Sequence, residues 1–84
     1  MIEPHEIESL LRAAMPDGQF QIRDLTGTKD HFEAVVVSRA FEGKGLIEQH
    51  RLVYGALGDA MKQRIHALTL KTFTPDTYKP QRSL

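Results

Sequence analysis

QFQIRDLTGTKDHFEAVVVSRAF, residues 19–41, contains two strand-like stretches separated by a short polar turn. In the first stretch Phe20 and Ile22 alternate with polar residues, and the second, 31–41, is rich in β-branched residues. The TGTKD segment between them, 26–30, contains the Gly and Asp residues typical of turns. Two such stretches joined by a short turn predict an antiparallel β-hairpin.

Helical periodicity flanks this hairpin on both sides. A helix over 4–15 is predicted because Pro4 suits a first helical turn and apolar residues recur at helical spacing after it. These apolar residues are Ile7, Leu10, Leu11 and Ala14. After EGKG at 42–45, LIEQH predicts one or two helical turns, and RLVYGALGDAMKQR at 51–64 predicts a longer helix. Its predicted buried stripe is Leu52, Val53, Ala56, Leu57 and Met61.

RIHALTLKTF, residues 64–73, predicts a third strand in which His66 begins an apolar row continued by Leu68 and Leu70. Thr74 and the proline after it predict the start of a further helix. The order α-β-β-α-α-β-α predicts an α+β fold, with helices packed on a mixed three-stranded sheet. The helical crossover allows the third strand to run parallel to the second.

The 84 residues predict one small domain, with a core over about 4–78 and a tail at 79–84 that frays. The chain has no cysteine, which excludes disulfides and thiolate metal sites. No apolar run could span a bilayer, and MIEPHEIESLL lacks a basic signal region, so we expect a cytoplasmic protein without a membrane partner. The formal net charge is zero, whereas strong nucleic-acid binders usually have a pI above about 9.

Catalytic motifs are absent from the sequence. It contains no P-loop, no G-x-S-x-G and no G-x-G-x-x-G, and its histidines at 5, 31, 50 and 66 lack HxxxH or HExxH spacing. We therefore expect a non-enzymatic protein. Taken alone, His66 is most simply interpreted as a core or strand-end histidine that is hydrogen-bonded to a backbone carbonyl.

Two longer stretches resemble the BolA family. They are HFEAVVVSRAFEGKGLIEQHRLVYGAL at 31–57 and IHALTLKTFTP at 65–75, and the similarity extends over about 4–78. The resemblance implies a fold related to class II KH domains, with a helix-turn-helix-like segment over roughly 46–62.

BolA-like proteins act with monothiol glutaredoxins that carry a CGFS motif. The resemblance implies that this chain, a monomer alone, forms a heterodimer with such a partner around a bridging [2Fe–2S] cluster, which a glutaredoxin cysteine and glutathione hold on the other side. It also implies that His66 of the IHAL motif is an iron ligand, and histidine does bind iron in Rieske-type clusters. Relatives usually supply a second ligand from the first hairpin loop, where Thr28 occupies the position expected for cysteine. His31, Asp30 or no second protein ligand all remain open.

A second hypothesis is a DNA-binding regulator that uses residues 43–64, because some BolA-like proteins are described as stress-responsive transcriptional regulators. The predicted partner or nucleic-acid contacts are Lys44, His50, Arg51, Lys62 and Arg64. A simpler interpretation of His50 and Arg51 is a helix-start pair hydrogen-bonded to the neighbouring loop. Tyr78 is expected to pack against the sheet.

Overall fold

The computed structural model describes residues 2–29, 31–65 and 67–78 of the chain. The elements are α1 (Pro4–Ala14), β1 (Gln19–Asp24), β2 (His31–Val37), a 3-10 turn (Arg39–Phe41), α2 (Leu46–Leu57), α3 (Asp59–Gln63) and β3 (Ala67–Phe73). The predicted α+β class is confirmed, whereas the predicted tail at 79–84 lies outside the described residues. No helix within the described ranges is long and apolar enough to cross a membrane.

The three strands form one mixed sheet in the order β1-β2-β3. β1 and β2 are antiparallel, with Gln19 opposite Val37, as the hairpin prediction requires. β2 and β3 are parallel, with His31 opposite Ala67. A parallel pair needs a long connection, and α2 and α3 provide it.

The hydrophobic core lies between the helices and one face of the sheet. The central strand contributes Phe32, Ala34 and Val36, which are fully buried because alternate residues of a strand face the same side. The helical residues of the same cluster are Ile7, Leu11, Val53, Leu57 and Ala60.

Three apolar side chains of the predicted helical patterns are exposed, including Leu52 of the predicted buried stripe. Leu10 and Leu52 are 37% and 39% exposed, and Ala14 is also exposed. Each of the three directly precedes a buried residue in the sequence. One residue corresponds to a rotation of about 100° around a helix, so these side chains turn away from the sheet.

The second strand is shorter than the predicted 31–41 range because the chain turns at Ser38. This serine is buried, and its hydroxyl donates to Asp17 Oδ1 at 3.0 Å and accepts from the Ala40 N–H at 3.0 Å. The Arg39 N–H donates to Asp17 Oδ2 at 2.9 Å, and this backbone hydrogen bond lowers the pKa of the Asp17 carboxyl. Asp17 lies in the loop after α1, so the residue pattern of the second strand does not predict this contact.

The break between the two consecutive helices lies at Gly58, not between the predicted segments 46–50 and 51–64. The backbone of Gly58 has φ of +53° and ψ of −128°, a conformation that favours glycine. Its N–H donates to the Tyr54 carbonyl at 2.9 Å and closes the last turn of α2. The segment predicted as helix-turn-helix-like therefore contains a 12-residue and a five-residue helix.

After β3 the described chain forms a turn rather than the predicted helix. The N–H groups of Thr77 and Tyr78 both donate to the Thr74 carbonyl, at 3.1 Å and 3.0 Å. The rings of Tyr78 and Phe73 pack with their centroids 5.4 Å apart. The packing role predicted for Tyr78 is confirmed.

Candidate functional site

His66 and Asp30, two of the predicted cluster ligands, lie outside the described residues. The residues that flank His66 in the sequence are described. Ile65 is buried and donates its N–H to the Ala60 carbonyl at 2.9 Å, while Ala67 is exposed and begins β3. The start of β3 is thus anchored by the core on one side and by strand pairing on the other.

His31, the other predicted imidazole ligand, is half-buried at the first position of β2. It lies opposite Ala67 in the parallel ladder, and its carbonyl accepts the Leu25 N–H at 2.8 Å. The register therefore brings His31 beside the residue that follows His66 in the sequence. No group of three potential metal-ligating side chains occurs among the described residues.

The loop before His31 is held by Asp24, the last residue of β1. Asp24 Oδ1 accepts the N–H groups of Thr26 and Gly27, at 3.3 Å and 3.0 Å, and Oδ2 accepts that of Lys29 at 3.0 Å. Lys29 is the one non-glycine residue with positive φ in the described chain, at 62°. Thr28 is exposed, and its hydroxyl lies 2.6 Å from the Thr26 hydroxyl. Asp24 is therefore a turn-stabilising aspartate.

Two ion pairs, here called the N-terminal clamp, connect the first turn of α1 to the segments that flank this sheet end. Glu3 pairs with Lys29 of the loop, and the Ile2 N–H donates to the Lys29 carbonyl at 3.4 Å. Glu6 binds Arg64 through both carboxylate oxygens, at 3.2 Å and 3.1 Å, and Oε1 also accepts the Glu3 N–H at 3.1 Å. The clamp holds the hairpin loop and the α3–β3 connection to one helix end.

The electrostatics of the clamp favour its charged form. The backbone hydrogen bond from Glu3, with Arg64 adding to it, lowers the pKa of the Glu6 carboxyl. The hydrogen bond to Glu3 raises the pKa of the Lys29 ammonium. The sequence gives no local sign of these pairs, because Lys29 and Arg64 are distant from Glu3 and Glu6 along the chain.

The five residues predicted as partner contacts do not form one surface. Arg64 belongs to the N-terminal clamp, and Lys62 is exposed on α3. Lys44 and Arg51 line one open groove of about 280 Å³ together with Glu48 and Leu52. The structure therefore brings together Lys44 and Arg51.

Most basic side chains in the described ranges have a carboxylate within ion-pair distance. Of the nine Lys and Arg residues in the described ranges, six are in ion pairs: Arg12, Arg23, Lys29, Arg39, Arg64 and Lys71. The other three, Lys44, Arg51 and Lys62, have no carboxylate partner among the described residues. All three lie between the loop before α2 and the end of α3.

His50 and Arg51 lie inside α2 rather than at the start of a helix. The Nε2 atom of His50 is buried and lacks a hydrogen-bond partner in the described part of the chain, so this nitrogen does not make the predicted bond to the loop. The neighbouring Gln49 contacts the loop instead, donating from Nε2 to the Lys44 carbonyl at 2.9 Å.

Comparison with known proteins agrees with this architecture. A family model described as "BolA-like protein" matches residues 2–77. Protein BOLA2 of Arabidopsis thaliana is 39% identical over 82 residues, which cover 95% of this chain and 87% of that protein. The DNA-binding transcriptional regulator BolA of Escherichia coli is 32% identical over 81 residues, covering 88% and 77%.

A solved structure, that of a bolA protein homologue from Coxiella burnetii, superimposes with a TM-score of 0.80. It is 40% identical to this chain, and the match covers 95% of this chain and all of the other.

Proposed function

This chain belongs to the BolA family, and we propose that it is a non-enzymatic adaptor for a monothiol glutaredoxin. In the proposed heterodimer it shares or receives a bridging [2Fe–2S] cluster, with His66 and His31 as its ligands. The observation that carries the proposal is the parallel register, in which His31 lies opposite Ala67, the neighbour of His66 in the sequence.

The donor chemistry suits such a cluster. A neutral imidazole nitrogen is an established ligand of [2Fe–2S] iron, and a glutaredoxin cysteine with glutathione would complete the set. His31 pairs with Ala67 in the ladder between β2 and β3, and its carbonyl accepts the Leu25 N–H on the other side, so its backbone is held before any partner arrives. Ligands on rigid elements keep their geometry better than ligands on loops.

His31 is preferred to Thr28 as the second ligand. A threonine hydroxyl is a poor iron ligand, and that of Thr28 lies within hydrogen-bond distance of the Thr26 hydroxyl. Asp30 stays an alternative on the grounds of sequence proximity.

The test is an anaerobic titration of a reconstituted [2Fe–2S] monothiol glutaredoxin with this protein, followed by visible circular dichroism. We expect a new spectrum that saturates at one-to-one and is lost with His66→Ala. The variants His31→Ala and Asp30→Asn identify the second ligand. His5→Ala, which removes an exposed imidazole on α1, is the matched control and should reproduce the wild-type spectrum.

An unchanged glutaredoxin spectrum with the wild-type protein would contradict the shared-cluster mechanism. If the new spectrum forms but survives in His66→Ala, the adaptor role stands and the ligand assignment is wrong. Native mass spectrometry of the same samples checks that the complex is a heterodimer and that the chain alone is monomeric.

DNA binding is the second candidate function. It is favoured by Lys44, Arg51 and Lys62, the cations that have no carboxylate partner within the described part of the chain. The Escherichia coli relative carries a name that includes DNA binding. Each phosphate contact should contribute about 0.9 to the slope of log affinity against log salt concentration. We expect Arg51→Ala to reduce this slope by about one unit, whereas Lys71→Ala, which removes an ion-paired lysine, leaves it unchanged. Absence of binding to duplex DNA at low salt eliminates this function.

A further inference from the structure

Helix α2 carries four exposed large apolar side chains along its 12 residues. Leu46 is 62% exposed and Ile47 is 70% exposed, while Leu52 and Tyr54 are 39% and 40% exposed. Single exposed leucines are ordinary on protein surfaces, but neighbouring ones on one element indicate a contact surface. Leu46 lies in line with the buried Val53, seven residues later, whereas the others surround Arg51 on the opposite side of the helix. We call the surface formed by Lys44, Ile47, Arg51, Leu52 and Tyr54 the α2 outer face.

Helical geometry places part of this surface in one row. Ile47, Arg51 and Tyr54 are spaced i, i+4 and i+7, so they follow each other along one side of α2. Beside this row is the 280 Å³ groove lined by Lys44, Arg51 and Leu52 with Glu48. A row with apolar side chains on both sides of a cation, next to an open groove, can receive an amphipathic helix that carries carboxylates beside its apolar face.

The charges of the α2 outer face indicate which helix it receives. Lys44 and Arg51 have no carboxylate partner among the described residues, although six other cations of the described chain are paired. Glu48, which lines the same groove, accepts the Gly45 N–H at 3.4 Å and keeps its negative charge. Two cations and one carboxylate leave the groove with a net positive charge beside apolar side chains, which complements carboxylates beside apolar side chains.

From this complementarity we infer that the α2 outer face docks an acidic amphipathic helix of a partner protein. Apolar side chains of that helix contact Ile47, Leu52 and Tyr54, and its carboxylates pair with Lys44 and Arg51. A phosphate backbone fits less well, because it offers nothing to cover the aliphatic side chains. A second copy of this chain also fits less well, since the acidic residues of its own amphipathic helix α1 are already paired.

The first turn of α2, which carries Ile47, lies at the opposite end of β3 from the proposed cluster site. Gln49 Oε1 accepts the hydroxyl of Thr72 at 2.6 Å, so the first turn of α2 lies beside the end of β3. Ala67, opposite His31, is at the start of that strand, about 16 Å away at about 3.3 Å per residue. Glutaredoxin at one end and a second partner at α2 could therefore bind together.

The test uses the full chain, ¹⁵N-labelled, titrated with a synthetic helical peptide of about 15 residues. The peptide carries leucines on one face and glutamates along the flanks. We expect saturable chemical-shift changes centred on residues 44–54. Ile47→Ser and Arg51→Glu should each weaken binding by about tenfold. The matched controls are Leu25→Ser, which removes an exposed leucine of the hairpin, and Lys62→Glu, which reverses an unpaired cation on α3. Both should bind like the wild type.

Three outcomes would overturn the inference. The first is no saturable shift at 44–54, and the second is equal binding of a peptide in which lysines replace the glutamates. The third is tighter binding of duplex DNA than of the acidic peptide at the same residues. Glutaredoxin binding is measured in parallel, and Ile47→Ser should leave it unchanged. If Ile47→Ser abolishes the glutaredoxin complex, the α2 outer face is part of that interface and a separate partner site is ruled out.

Discussion

Helices α1 and α2 contribute to the same core but use their solvent sides differently. The charged side chains of α1 are satisfied within the chain, because Glu6 and Glu8 pair with Arg64 and Arg12. On α2, Arg51 lacks a carboxylate partner in the described chain, and Ile47 is 70% exposed. A helix that joins distant segments stabilises the fold, whereas one with unused apolar and charged groups is suited to recognition. The following predictions separate these two roles.

The largest effect is expected for the core side of α1. Leu11→Ala removes a fully buried side chain and should lower the free energy of unfolding by about 3 kcal/mol, since both burial and packing are lost. Urea denaturation followed by circular dichroism measures the change. Leu10→Ala is the matched control on the same helix, and its 37% exposed side chain should cost less than about 1 kcal/mol. Equal losses for the two variants would contradict the described orientation of α1.

A smaller effect is expected at the end of α2, where the backbone rather than a side chain is decisive. Gly58→Ala should destabilise the protein by about 2 kcal/mol, because an L-residue strains at φ of +53° and ψ of −128°. Gly55→Ala lies three residues earlier, where an added methyl group meets no atom within 4 Å. It should stabilise α2 by about 0.5–1 kcal/mol through helix propensity. Thermal melts measure the stability of both variants. Changes of opposite sign would show that position 58 requires glycine for its backbone conformation, and that replacing a glycine by alanine in this region is not destabilising in general.

The N-terminal clamp predicts a modest pH dependence. The pKa of Glu6 is lower in the folded protein than its ordinary value near 4.5, so the unfolded chain binds this proton more readily. The stabilisation is complete above the ordinary pKa and is lost as the pH falls through the lowered one. The urea midpoint of Glu6→Gln should therefore decrease less than that of the wild type when the pH is lowered below about 4.5. Glu42→Gln, at an exposed glutamate with no ion pair in the described chain, should keep the wild-type slope.

The smallest effect on stability is expected on the α2 outer face. Ile47→Ser and Arg51→Ala should each change the free energy of unfolding by less than about 0.5 kcal/mol, since both side chains are exposed. Chemical denaturation of the two variants provides the measurement. A loss comparable with that of Leu11→Ala would show that these residues support the fold and would remove the contrast between the helices.

Much of the fold was predictable because it rests on local periodicity. Alternation in 19–41 predicts the antiparallel hairpin, and the helical crossover predicts the parallel third strand; both are confirmed. The end of β2 was not predictable, since the chain turns where Ser38 meets Asp17, a residue from a different part of the sequence. The break at Gly58 also escaped periodicity, because a glycine inside an apolar helical pattern is compatible with an unbroken helix.

The candidate site was less predictable than the fold. The resemblance directs attention to His66 and His31, but the register between β2 and β3 is a property of the folded sheet. The pairing of Glu6 with Arg64 joins residues near opposite ends of the chain and has no signal in either local sequence. The exposure of Leu46 and Ile47 was also not predictable. An apolar residue in a helical pattern is ordinarily assigned to the core.

The parallel pairing of β2 with β3 also has a consequence for biosynthesis. The hairpin that ends at β2 can form as soon as it is synthesised, whereas Ala67 reaches His31 only after both following helices have been made. Pairing across such a long connection is slow, because a large loop must close before the contact forms. A growing or truncated chain therefore carries His31 without the neighbouring strand, and the proposed ligand pair comes together only in a finished domain. Binding of the proposed cluster would then occur only in chains that have completed folding.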